Sequence, residues 1–89
     1  MPTIRQQLIR AMTSAAANYR AARCARSRKE WFAKLCITIE EIDESLFWLI
    51  ICCDLDYTNE AAIFDLKKEA TELVKILTAT RATAKKKGI

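Results

Sequence analysis

Histidine is absent from this sequence, and glycine and proline occur once each. The first absence removes Ser-His and Cys-His catalytic pairs, the Glu-x-x-His motifs of helical di-iron sites and the usual zinc-finger ligand sets. The second removes the turn chemistry that β-hairpins and Gly-rich phosphate loops require. No apolar run exceeds the eight residues Leu46–Cys53, against the ~20 that span a bilayer, so no membrane partner is expected. An apolar signal-peptide core is also missing at the N-terminus, and the cytoplasm is the expected location. The four cysteines, Cys24, Cys36, Cys52 and Cys53, form no Cys-x-x-Cys pair. With few loops to staple, they read as small buried hydrophobes, and no metal or other cofactor is expected.

What remains is rich in alanine, leucine, lysine and glutamate, the composition of helices. Its 89 residues make one domain. The central stretch organises the rest. Ser27 followed by Glu30 is a capping box, in which each side chain satisfies a free amide of the other's first turn. From there Phe32, Leu35, Ile39, Ile42, Leu46, Leu49 and Cys53 recur at spacings of three and four, one stripe along a helix. A first helix over 3–23 carries the stripe Leu8, Met12, Ala15, Tyr19 and Ala22, widened by Ile9 and Ala16. Small residues from Ser14 to Ala17 let a neighbouring backbone approach, and Asn18 beside the stripe is expected to satisfy itself and fix register. A third helix over 59–84, capped by Thr58 or Asn59, carries Ile63, Leu66, Ala70, Leu73 and Leu77 with Val74 flanking. A basic tail over 85–89 follows, with Gly88 as the stop. The predicted fold is therefore all-α, an antiparallel up-down bundle of three helices over 3–23, 28–53 and 59–84.

Charge falls in blocks. Residues 1–34 carry eight bases and one acid, residues 35–66 no base and eight acids, and residues 67–89 seven bases and two acids. Five of those bases lie between 20 and 29, beside the N-terminus of the second helix, where free amides favour anions. Arg20, Arg23, Arg26, Arg28 and Lys29 are thus the candidate contacts for the phosphates of RNA or DNA. Arg10 and Lys34 flank them, and Lys85, Lys86 and Lys87 are auxiliary. The aromatic residues near these bases are Tyr19 and Trp31. On the second helix, Leu46–Cys53 is apolar on every side. Phe47, Trp48 and Ile51 fall opposite the core stripe, which predicts a homo-oligomer or another protein partner at that face.

One catalytic alternative exists. Glu40, Glu41 and Glu44 spell Glu-Glu-x-x-Glu, a magnesium-holding motif of all-α nucleoside triphosphate pyrophosphohydrolases. A later helix offers Glu69 and Glu72 where those enzymes carry Glu-Glu-x-x-Asp. In the core register the glutamates fall mostly outward, as a solvated acidic face does.

The run Gln7-Leu8-Ile9-Arg10 through Ser14, Ala17-Asn18 and Arg20 resembles a bacterial four-helix-bundle family first noted in intervening sequences of 23S ribosomal RNA genes. The likeness continues through Ala25–Leu35 and Glu40–Leu49. Ala21 stands where that family usually has glutamate. Members of that family usually have another helix ahead of the Gln-Leu-x-Arg helix, so the resemblance implies a four-helix bundle lacking its first helix, a truncated or a three-helix member, with no demonstrated enzymatic activity. Some relatives, accessory proteins of diversity-generating retroelements, are pentameric barrels that bind nucleic acid and a reverse transcriptase. The implied role is a non-enzymatic, oligomerising adaptor.

Overall fold

The computed structural model describes residues 2–55 and 60–88. It contains three helices, α1 (Ile4–Arg23), α2 (Arg28–Asp54) and α3 (Glu60–Lys86), and no strand among the described residues. Each described boundary has a local cause. Thr3 caps α1: its Oγ1 accepts from the Gln6 amide at 3.1 Å, and the Gln6 side chain accepts from the Thr3 amide at 2.9 Å. This is a complete capping box, worth about 1 kcal/mol for the Thr hydroxyl alone, and it was readable as Thr-x-x-Gln. At α2 the Ser27 hydroxyl accepts from the Glu30 amide at 3.0 Å, as expected. The reciprocal half is displaced by one residue, because the Glu30 carboxylate accepts from the amide of Arg26 rather than that of Ser27. The third helix continues through Lys85 and Lys86, two residues beyond the expected end. Cations in a last turn complement the helix dipole, so nothing stops the helix before Gly88. That residue takes φ +80°, the left-handed conformation that ends helices and strains any residue with a Cβ. The expected caps Thr58 and Asn59 lie outside the described residues.

The short corner at 24–27 turns α2 back along α1, and the start of α2 lies against the end of α3, so neighbours run antiparallel. Both outer helices pack on α2. Among the described residues they do not approach each other within 8 Å between Cα atoms. The molecule is accordingly a slab, 44 × 25 × 17 Å, with a radius of gyration of 14.4 Å, where a compact chain of this length has about 12 Å.

Small side chains let α1 approach α2. Ala11, Ala15 and Ala22 are the buried residues of α1, with Ala11 0% exposed. Asn18 is half-buried beside them and donates to the Ser14 carbonyl at 2.9 Å, the self-satisfying role expected of it. On α2 the buried residues are Leu35, Thr38, Ile39, Ser45, Leu49 and Cys52. The hydroxyls of Thr38 and Ser45 both donate to carbonyls of their own helix, four residues back, at 2.8 Å. They therefore cost no unpaired polar group. The expected stripes are corrected in part: Phe32, Ile42, Leu46 and Cys53 are half-buried, while Met12 and Tyr19 are 45% and 47% exposed. Nor are the thiols uniformly buried. All four are free, but Cys24 caps the C-terminus of α1 and is exposed.

Candidate nucleic-acid interface

Antiparallel packing gathers the bases that the sequence separates. The end of α1, the start of α2 and the end of α3 share one pole of the slab. Arg20, Arg23, Arg26, Arg28 and Lys29 are all exposed there, and so are Lys85, Lys86 and Lys87. The ion pairs among the described residues engage none of these eight side chains. Glu30 is the acid within the corner, and its carboxylate is engaged with the Arg26 amide. The three lysines, expected as an auxiliary tail, stand on the pole because α3 continues through Lys86. Arg28 of α2 and Lys87 beyond α3 line one hollow of about 560 Å3, with the indole of Trp31 between α2 and α3. Lys34, two turns along α2 from Ser27, is half-buried.

Arg10 is placed differently. Its guanidinium donates to Glu41 at 3.3 Å and to Glu44, and its Nε donates to Gln7. It ties α1 to the acidic stretch of α2 at mid-helix, away from the basic pole. The same contacts correct the outward placement of the glutamates, since Glu41 and Glu44 are half-buried and turned to α1, and only Glu40 is exposed. No group of three metal-ligating side chains occurs among the described residues, and the pyrophosphohydrolase alternative finds no support in this arrangement.

The apolar face expected at Phe47, Trp48 and Ile51 is only partly open. Phe47 is 53% exposed and meets the Trp48 ring edge-on, centroids 5.0 Å apart at 72°. Trp48 and Ile51 are half-buried, and the Trp48 indole nitrogen is buried without a hydrogen-bond partner among the described residues. A larger apolar opening lies elsewhere. Between α1 and α3, floored by Thr38, Ile42, Ser45 and Leu49 of α2, runs a groove of about 520 Å3. Met12 and Tyr19 line one wall, and Leu66, Leu73 and Ile76 the other, each at least two-fifths exposed. The sequence signal for it was present: apolar stripes on both outer helices that were wider than one neighbour can cover.

The 23S rRNA-intervening sequence protein family matches residues 2–79. The chain belongs to that family. A crystal structure of a protein of unknown function from the S23 ribosomal protein family of Bacteroides thetaiotaomicron has the same fold, with a TM-score of 0.83 and 28% identity over 91% of this chain and 75% of that one. No curated protein matches the chain. Family and structural relative agree with the all-α bundle. No helix among the described residues is long and apolar enough to cross a membrane.

Proposed function

We propose that this family member is a non-enzymatic binding module that holds nucleic acid by its phosphates at the basic pole. The observation that carries the reading is the convergence of eight exposed cations, on three helix ends, around one engaged acid. The acidic stretch does not neutralise them. Glu40 lies thirteen residues beyond Ser27, roughly 20 Å along the helix axis, against a Debye length of about 8–10 Å. Binding of this kind tolerates sequence and falls steeply with salt. Replacing Arg23, Arg26 and Arg28 with alanine should weaken retention of RNA and DNA and reduce the slope of log K against log[salt] by about 2 to 3 units, with helicity unchanged by circular dichroism. If the wild type retains neither single-stranded nor duplex nucleic acid at low salt, the reading fails.

The groove favours self-association as part of the same role. The chain exposes 6461 Å2, about 1,100 Å2 more than a compact monomer of its mass, and a standard interface covers about 800 Å2 per partner. The occupant that fits is a second copy. The fourth member of an up-down bundle runs antiparallel to both α1 and α3, the direction of α1 in a copy related by a two-fold axis. Sedimentation equilibrium should show a dimer that Met12→Glu or Leu73→Glu dissociates and Phe47→Glu does not. A monomeric wild type at tens of micromolar (roughly the range of weak interfaces) sinks it. Dissociation by Phe47→Glu alone would move the interface to the face of Phe47, Trp48 and Ile51.

A further inference from the structure

Charge alone gives a surface that any polyanion can occupy, but the basic pole also has a hollow. Trp31 stands in the first turn of α2, half-buried. Arg28 of α2 and Lys87, just beyond α3, line the same hollow. The α3 side is built from Ile76, Ala79, Thr80, Thr83 and Ala84; apart from Ile76 at one end these are small side chains that leave space beside the indole. The Thr80 hydroxyl is turned back to the Ile76 carbonyl at 2.9 Å, so it does not claim that space. The hollow, about 560 Å3, is open to solvent. An occupant must therefore offer a flat apolar face to the indole and negative charge to the two cations. A nucleotide with an unpaired base offers both, whereas in a duplex the base faces are already stacked.

We infer that this hollow is a stacking site for an unpaired nucleobase, with Arg28 and Lys87 on its flanking phosphates. The basic pole therefore takes single-stranded nucleic acid in preference to duplex. The inference rests on the nucleic-acid reading above and adds selectivity to it. Stacking tolerates any base, so preference among sequences stays small.

The test uses the full chain with Trp48→Phe, which leaves Trp31 as the single indole, titrated with a short single-stranded RNA and with a duplex of the same sequence. The expected result is quenching of Trp31 emission by the single strand and little by the duplex. In otherwise wild-type protein, Trp31→Leu should weaken single-strand binding roughly 5- to 150-fold, the loss of one stacking aromatic. The duplex affinity and the salt slope should stay in place. Thr83→Phe provides the control for a damaged fold: it fills the hollow from an exposed position of α3, leaves Trp31 intact, and should reproduce the single-strand loss. Equal affinity for both forms with Trp31 emission unmoved overturns the stacking site and leaves phosphate binding standing. Failure of both forms to bind overturns the two readings together.

Discussion

At the scale of single residues, tight contacts in this protein are made by small side chains. Among the described residues the largest fully buried one is Thr38, and Ala11 is 0% exposed. Ala11→Leu should therefore lower stability by about 1–3 kcal/mol through overpacking, read as a shift of the urea midpoint with unchanged slope. Leu49, 4% exposed, tests the converse, since truncation to alanine should cost about 2–5 kcal/mol. Trp48→Phe behaves differently from either. It removes a buried indole N–H that has no partner among the described residues, and an unpaired buried donor costs about 1–3 kcal/mol, so that gain offsets the lost contact area. Stability within about 1 kcal/mol of wild type is expected; a loss as large as that of Leu49→Ala would mean the indole nitrogen is satisfied in solution. These residues also mark where the sequence misled. The 4-3 period on α1 puts Met12 and Tyr19 in the core with Ala15 and Ala22; close helix approach keeps the two alanines but takes Ala11 and Asn18, each one position earlier, in place of Met12 and Tyr19. Only the run of small residues from Ser14 to Ala17 hinted at it.

Among the elements, caps and periodicity were legible because they are local. Ser27 marks the start of α2 through its own hydroxyl, and Ser27→Ala should cost about 0.5–2 kcal/mol. The thermal midpoint checks it, and an unchanged value would mean that Glu30 and the corner hold the turn without the hydroxyl. The partnership between elements was less legible. A stripe tells that a face is covered without telling by what, and α2 is covered from two sides, so no single stripe describes it. Leu46–Cys53 read as apolar all round for that reason. The inference that the surplus must face another subunit pointed at Phe47, Trp48 and Ile51, whereas the wider opening is the groove between Met12 and Leu73. For the basic pole, the corner at 20–29 was visible as a run in the chain. Trp31 opposite Lys87 was not visible, because their proximity needs the antiparallel return of α3.

At the scale of the whole molecule, one absence of contact has a dynamic consequence. Both outer helices rest on α2, and among the described residues no Cα of one comes within 8 Å of a Cα of the other, so the free energy of detaching one depends little on the other. Local opening then proceeds along two separate routes around a shared axis. Backbone amides in the middle of α2 should exchange with solvent most slowly, since they open only with the whole fold. Amides of α1 and α3 should exchange faster, each at a rate set by its own seam. Ala11→Leu should speed exchange in α1 and leave the protection of α3 beyond Ile63 unaltered in a monomer. If a second copy fills the groove, the same substitution should loosen both outer helices, because the guest bridges them. Protection measured across a range of protein concentrations would thus separate a pair of independent flaps from one cooperative unit.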